Sequence, residues 1–174
     1  LGKLIDKAVF PGLQGGPLMH VIAAKAAAFK EALSDDFKEY SRQTLLNAKA
    51  ICSSLKDNNF EVVSGETSCH MLLIDLSNKE VTGKLAEKAL DDAGITCNKN
   101  SIPFDKQSPF VTSGIRVGTA AGTTRGFKEE QFKYIGSLIN EVIASLKKSD
   151  DEILKTAELV RSKVFDLCNK FPLY

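Results

Sequence analysis

Residues 71–76 carry the sequence MLLIDL, a short and nearly continuously apolar run. A run of this length and composition is typical of a strand that is buried in a sheet. Three shorter strand patterns lie on either side of it, at residues 60–63, 95–97 and 114–119. The sequence therefore predicts a small sheet that contains residues 71–76 and three shorter strands.

Helical patterns precede and follow these strands. Five helices are predicted, at residues 18–33, 35–56, 82–93, 127–148 and 149–170. Thr82 can cap the third helix and Gly94 follows its end, where a helix stop favours glycine. Ser149 and Glu152 form a capping-box pattern, in which each side chain satisfies a free backbone N–H of the last helix. The order of elements predicts an α+β fold in which helices cover one face of the sheet.

The helix predicted at residues 18–33 differs from the others. It is rich in alanine and apolar on most sides, so we expect it to be buried. Because it lies apart from the strands, we assign it to a neighbouring domain. This divides the chain into residues 1–34, the end of a larger and incomplete domain, and residues 35–174, a small C-terminal domain.

The composition is that of a globular protein without a charge bias. The 174 residues are 43% hydrophobic and 26% charged, with a net charge of +1, which argues against general attraction to nucleic acid or membranes. No apolar run is long enough to cross a bilayer and no signal peptide is visible, so a cytoplasmic location is expected. The cysteines form no CxxC pair, and we expect reduced, mostly buried thiols. They are Cys52, Cys69, Cys97 and Cys168.

A glycine-rich loop at residues 10–17, FPGLQGGP, is the first candidate binding site. Pro17 suits the first position of the helix that follows. Glycines before a helix expose backbone N–H groups where the helix dipole is positive, which favours a phosphate. A plain turn that only starts a helix explains the same residues, and the spacing alone does not choose between the two.

Arg116 is the second candidate. It lies in the short strand pattern at residues 114–119, among small and β-branched residues, so its guanidinium is expected to be half-buried. A planar fork of donors in such a place fits a carboxylate held by two contacts. An internal salt bridge to Asp or Glu is the alternative, because a buried arginine needs a partner.

The polar loop at residues 98–113 is the third candidate. Asn98, Asn100 and Ser101 open it and residues 108–110 bring a hydroxyl, a proline and a phenyl ring, a set that suits a flat heterocycle with polar edges. A surface loop tied by side-chain-to-backbone bonds is the alternative. His20 and His70 are the only histidines, and neither lies in a metal-ligand pattern, so both are interpreted as structural and no metal site is predicted.

Several segments of the chain together resemble the signatures of one enzyme family. The stretches at residues 8–20, 98–104, 108–119 and 124–127 resemble signatures of the serine hydroxymethyltransferases, most closely the bacterial form. The resemblance implies a fold-type-I enzyme that depends on pyridoxal phosphate, with residues 1–34 ending its large cofactor-binding domain and residues 35–174 forming its small domain. The family moves a one-carbon unit reversibly between serine and tetrahydrofolate, giving glycine and 5,10-methylenetetrahydrofolate. It also implies a homodimer in which two subunits complete each active site.

The resemblance implies a role for each candidate. Arg116 matches the arginine that grips the amino-acid carboxylate, and Gly15 and Gly16 match the loop that reaches the cofactor phosphate of the partner subunit. The folate contacts are implied at Asn100, Ser108, Pro109, Phe110 and, near the partner's pocket, Phe10. Residues 120–122, Ala-Ala-Gly, stand where the family often has a proline, which we expect to adjust a loop.

One family feature is absent from the sequence. The lysine that holds the cofactor follows a histidine in a motif upstream of the first signature, and no His-Lys pair occurs here. No catalytic residue is therefore assigned in this chain, and the chain alone is expected to be inactive. Two rival interpretations stand beside this one. An aldolase or transaminase of the same fold type would keep an arginine like Arg116 but lack the folate loop. A stand-alone, non-catalytic module for ligand binding or dimerisation is the other, and the apolar helix at residues 18–33 argues against it, because that helix would need a missing partner to cover it.

Overall fold

The computed structural model describes residues 1–173, in two compact units that meet between Glu39 and Tyr40. The first unit holds helices α1 (Gly2–Lys7) and α2 (Met19–Ala32). Helix α3 (Asp35–Asp57) runs through the boundary between the units. The remaining helices are α4 (Gly83–Asp92), α5 (Ala120–Thr124), α6 (Glu129–Ser145) and α7 (Asp150–Asn169). The strands are β1 (Glu61–Val62), β2 (Met71–Asp75), β3 (Asn98–Asn100) and β4 (Gly114–Gly118). The predicted α+β class is confirmed, while the domain boundary predicted after residue 34 stays a prediction.

The first unit is short and its apolar side chains are exposed. A helical turn at Ala8–Leu13 follows α1, and it is broken at Phe10, whose backbone is extended. Every residue of α2 is exposed, with Phe29 at 67%. Residues 1–39 supply no second layer that could cover an apolar helix, so the expected burial of this helix is not found within the described residues.

The four strands form one antiparallel sheet in the order β1-β2-β4-β3. The strand predicted at residues 95–97 is wrong, since β3 starts three residues later. The reason is the way α4 ends: Gly94 N–H donates to the carbonyl of Asp91 at 2.9 Å and Ile95 N–H donates to the carbonyl of Leu90 at 2.8 Å. Gly94 has φ of +80°, so the turn after α4 uses backbone groups that a strand would need.

The two faces of the sheet differ in burial. Leu72 and Ile74 of β2 and Ile115 and Val117 of β4 point to one face and are all buried. This face joins a single core with side chains of α3, α4, α6 and α7. Because side chains alternate along a strand, Leu73, Asp75 and Arg116 belong to the opposite, more open face.

The helix caps agree only in part with the sequence patterns. Thr82 accepts a hydrogen bond from the N–H of Leu85 at 3.3 Å, so the predicted cap of α4 is confirmed. The capping box predicted at the start of α7 is wrong: Ser149 Oγ donates to the Glu152 carboxylate at 2.9 Å, and Ser149 makes no side-chain bond to the helix backbone. In both cases the side chain finds a partner within one helical turn.

The cysteines divide into buried and accessible thiols. Cys52 and Cys97 are buried as expected, whereas Cys69 is exposed and Cys168 is half-buried, so the expectation is wrong for Cys69. Burial, with Glu87 and Asp91 nearby, raises the pKa of the Cys97 thiol to about 12. No helix of the described residues is both long and apolar enough to cross a membrane.

This division predicts an order of alkylation. In the folded chain at neutral pH, iodoacetamide should modify Cys69 at least about 10-fold faster than Cys52 and Cys97, because only an accessible thiolate reacts. Peptide mass spectrometry over a time course measures this, with the denatured chain as control, in which the three rates should converge. Early labelling of Cys97 would contradict the described packing.

Candidate functional site

The site is built around Arg116, in the middle of β4. This strand lies between β2 and β3, and Arg116 pairs across with Leu73 on one side and Asn98 on the other. The side chain is exposed, so the expected half-burial is wrong. Among residues 1–173, Arg116 makes no ion pair with an Asp or Glu, and the internal salt bridge is therefore not what the described chain contains.

The neighbours of Arg116 on its face are small. Gly114 and Gly118, two residues away on either side, share this face of β4. A side chain at Gly118 would meet only the carbonyl of His70, at 3.8 Å, so the strand is open on that side of Arg116, whereas Cγ2 of Ile102 lies close to Gly114 on the other side. A fork of charged donors with open space on one side suits a planar carboxylate from a ligand.

The register brings Asn100 to the same face as Arg116. Asn100 pairs with Gly114 and Asn98 pairs with Arg116, so both asparagines lie on the open face of β3. Diagonal neighbours in an antiparallel pair are about 7–8 Å apart, within reach of one small ligand. The structure thus unites two candidates that the sequence placed in separate motifs, a carboxylate-binding arginine and a heterocycle-binding asparagine.

Ser108, Pro109 and Phe110 lie in the loop that connects β3 to β4. The carbonyl of Ser108 accepts hydrogen bonds from the N–H groups of Val111 at 3.0 Å and Thr112 at 2.9 Å, which folds this part into a turn. Phe110 is 82% exposed. The loop is held by its own hydrogen bonds, which agrees with the surface-loop alternative. It also exposes an aromatic ring, which agrees with binding of a flat heterocycle, so both alternatives remain open.

Sequence reasoning missed Asp105, the residue that organises this loop. Its carboxylate accepts hydrogen bonds from the N–H groups of Gln107 at 2.8 Å, Ser113 at 2.9 Å and Ile102 at 3.2 Å, and from Ser113 Oγ at 2.6 Å. These bonds, above all the one from Ser113 Oγ, lower the pKa of Asp105 to about 2. The available sequence signal was an aspartate in a polar loop, because aspartate side chains often accept a hydrogen bond from the backbone N–H two residues later and so form a turn.

The glycine loop belongs to the first unit. In the described residues the N–H groups of Gly15 and Gly16 make no hydrogen bond, and a side chain at either position would meet open space. Pro17 is not the first helical residue, because α2 starts at Met19. Phe10, the remaining folate candidate, is 66% exposed. Two backbone donors in sequence that make no described hydrogen bond fit a phosphate group.

Neither histidine is buried. His20 lies on α2 and His70 lies just before β2, and both side chains are exposed. Their interpretation as structural histidines stays a prediction. In residues 1–173 no group of three His, Cys, Asp or Glu side chains could hold a metal ion.

Comparison with known proteins gives one consistent family. A family model described as serine hydroxymethyltransferase matches residues 1–139. The chain is 57% identical to the serine hydroxymethyltransferases of Novosphingobium aromaticivorans and Bartonella henselae, over alignments of 175 and 176 positions, and 55% identical to that of Erythrobacter litoralis. Each alignment covers 100% of this chain and 40% of the relative. The chain therefore spans about two fifths of the length of these relatives.

Proposed function

The chain belongs to the serine hydroxymethyltransferase family, and we propose that it is the C-terminal portion of an enzyme of that activity. The whole enzyme would transfer a one-carbon unit reversibly between serine and tetrahydrofolate, giving glycine and 5,10-methylenetetrahydrofolate. The observation that carries the proposal is the open sheet face on which Arg116, without a carboxylate partner among residues 1–173, lies beside Asn100. An amino acid and a heterocycle can be held side by side there.

Arg116 would bind the carboxylate of the amino-acid substrate. Its guanidinium offers two parallel N–H donors, which fix both the position and the plane of a carboxylate. Holding that group decides which bond at the α-carbon is aligned for cleavage, so binding at Arg116 would control the reaction's selectivity. The strand beneath it is paired on both sides, with β2 and β3, which fixes the backbone position from which the Arg116 side chain would reach the substrate.

Gly15 and Gly16 would bind the phosphate of pyridoxal phosphate in the partner subunit of a homodimer. Their unpaired N–H groups are the observation that supports this role. The cofactor, when bound, would act as the electron sink for the bond broken at the α-carbon. We place the end of the large cofactor-binding domain at residues 1–34 and the small domain at residues 35–174.

Tetrahydrofolate would lie against the loop between β3 and β4. The Asn100 amide can donate to and accept from the polar edge of a pterin. Phe110 presents an exposed ring that can stack on its face, with Ser108 and Pro109 in the same turn. Phe10 would contribute to the corresponding pocket of the partner subunit. Retention of this loop distinguishes the proposal from an aldolase or transaminase of the same fold type.

The position of the cofactor lysine gives a direct test. The 174-residue chain, treated with pyridoxal phosphate and then borohydride, should carry no stoichiometric pyridoxyl group on any lysine, because the residue that holds the cofactor is expected outside it. The full-length protein under the same treatment should carry one, at a lysine outside residues 1–174. Mass spectrometry of the lysine peptides reads both results.

The same samples should differ in activity. Serine turnover with added tetrahydrofolate is expected from the full-length protein and not from the 174-residue chain. A single stoichiometric adduct within residues 1–174, or turnover by the short chain, would contradict the proposed division of the site. Failure of the full-length protein to turn over serine would contradict the proposed function itself.

A further inference from the structure

Asp105 joins the two halves of the loop between β3 and β4. Within residues 101–113 the two hydrogen bonds from Ser113, through N–H and Oγ, are the only ones described that link residues 101–107 to residues 108–113. The same carboxylate also holds the N–H groups of Ile102 and Gln107. Each carboxylate oxygen accepts two of the four hydrogen bonds, so a side chain with only one acceptor oxygen cannot make all four in this geometry. We refer to these four bonds as the Asp105 clasp.

The second half of the loop has an independent anchor. The first N–H groups of α4, from Gly83 and Lys84, donate to the carbonyls of Thr112 and Val111, both at 2.9 Å. The first half has no such attachment to a helix among the described residues. Beyond its chain connection to β3 and the contact of Ile102 with β4, the Asp105 clasp is the described hydrogen-bonded link that sets its position relative to the anchored half.

The clasp also lies next to the two strained residues of the loop. Phe104 and Thr112 have φ of +58° and +59°, in the left-handed region that residues with a side chain rarely adopt. Phe104 directly precedes Asp105, and Thr112 directly precedes Ser113. Strained conformations persist where the surroundings over-determine them. At Phe104 the hydrogen bonds of the next residue, Asp105, provide that constraint, whereas Thr112 is also held by its own hydroxyl, which donates to the carbonyl of Gly114 at 3.2 Å. Phe104 is fully exposed, so packing of its ring does not supply it.

We propose that Asp105 is a positioning residue for the folate-binding loop, which its four hydrogen bonds close before ligand arrives. The inference rests on the proposed function and deepens it. Asn100, at the start of the loop, and Phe110, in its second half, are the two groups that would touch the heterocycle. A fixed distance between them reduces the ordering that binding would otherwise require, which raises affinity for folate. Arg116 is held by strand pairing instead, so the clasp should not control amino-acid binding.

The test compares ligand affinities in the full-length protein by calorimetry. Asp105→Asn keeps the size of the side chain but replaces one accepting oxygen with a donating NH2 group. It should raise the Kd for tetrahydrofolate by about 10-fold or more and leave the Kd for glycine within about twofold. Ser113→Ala, which removes one of the four bonds, should act in the same direction by about two- to fourfold. Gln107→Ala is the matched control, because the clasp uses only the backbone N–H of Gln107.

Hydrogen exchange provides a readout independent of turnover. Amides of residues 101–113 should exchange faster in Asp105→Asn, while those of β2 and β4 stay protected. If the wild-type protein binds glycine but no tetrahydrofolate, the proposed function fails. If the wild type binds tetrahydrofolate and both Asp105→Asn and Ser113→Ala bind it within twofold of wild type, Asp105 has no positioning role. An equal loss of glycine and tetrahydrofolate affinity would also overturn the inference, and Ser113→Ala decides the case if Asp105→Asn does not fold.

Discussion

Replacing Arg116 with alanine in the full-length protein is expected to lower kcat/KM for serine by about 100-fold or more. The substrate carboxylate would lose two charge-assisted hydrogen bonds, together worth roughly 3 kcal/mol or more, and about 1.4 kcal/mol corresponds to a factor of ten. Arg116→Lys should recover only part of the loss, because an ammonium supplies a charge without the two-point fork. Steady-state kinetics with serine as the varied substrate measures both variants.

Arg161→Lys is the matched control for this prediction. Arg161 is an exposed arginine on α7, a helix that carries none of the proposed ligand contacts. Its replacement should therefore leave kcat/KM within about twofold. The Kd for tetrahydrofolate should also change little in Arg116→Ala, since the proposed folate contacts lie on β3 and the loop. An alanine variant that keeps most of its activity toward serine would exclude Arg116 as the carboxylate-binding residue.

Gly114→Ala is expected to destabilise the fold by about 3 kcal/mol, at the upper end of what overpacking costs. A methyl group at Gly114 would meet the carbonyl oxygen of Ile74 at 2.7 Å, Cγ2 of Ile102 at 2.7 Å and the carbonyl oxygen of Asn100 at 3.0 Å. Two of these atoms belong to the backbone of the neighbouring strands, so relief requires the sheet to open. The melting temperature should fall by roughly 6–12 °C for a chain of this size.

Gly118→Ala tests the same strand without the collision. A methyl group there has only the carbonyl of His70 within range, at 3.8 Å, an ordinary contact. Its effect on the free energy of unfolding should stay within about 0.5 kcal/mol. The chain has no tryptophan, so thermal and urea unfolding are best followed by circular dichroism at 222 nm. Equal stability of the two variants would show that β3, β4 and β2 are not packed at Gly114 as described.

Elements with a strong local pattern were predicted well. The apolar run at residues 71–76 is β2, and the helical periodicity from residue 35 is α3, with the observed ends within one residue. The strand predicted at residues 95–97 failed because helix termination competes for the same backbone groups. The periodicity of one short apolar segment does not reveal that Ile95 N–H is already used by Leu90.

Burial was harder to predict than secondary structure. Helix α2 was expected to be buried because it is apolar on most sides, and it is exposed throughout the described chain. The hydrophobicity of a helix determines how much free energy its burial would contribute. Whether the helix is buried depends on the presence of another layer that packs against it. Cys69 illustrates the same limit, since an average preference of cysteine for the interior does not decide one position.

The sequence by itself determined the α+β class, the positions of the long helices and strands, and the resemblance that singled out Arg116, Asn100 and the glycine loop. These properties depend on residue type and on spacing along a continuous segment. Only the tertiary structure decided that Arg116 and Asn100 share one open face, that no carboxylate among the described residues pairs with Arg116, and that Asp105 closes the loop beside them. Strand register and hydrogen bonds between distant residues set these three features. They arise from pairing across the chain, for which local periodicity carries no signal.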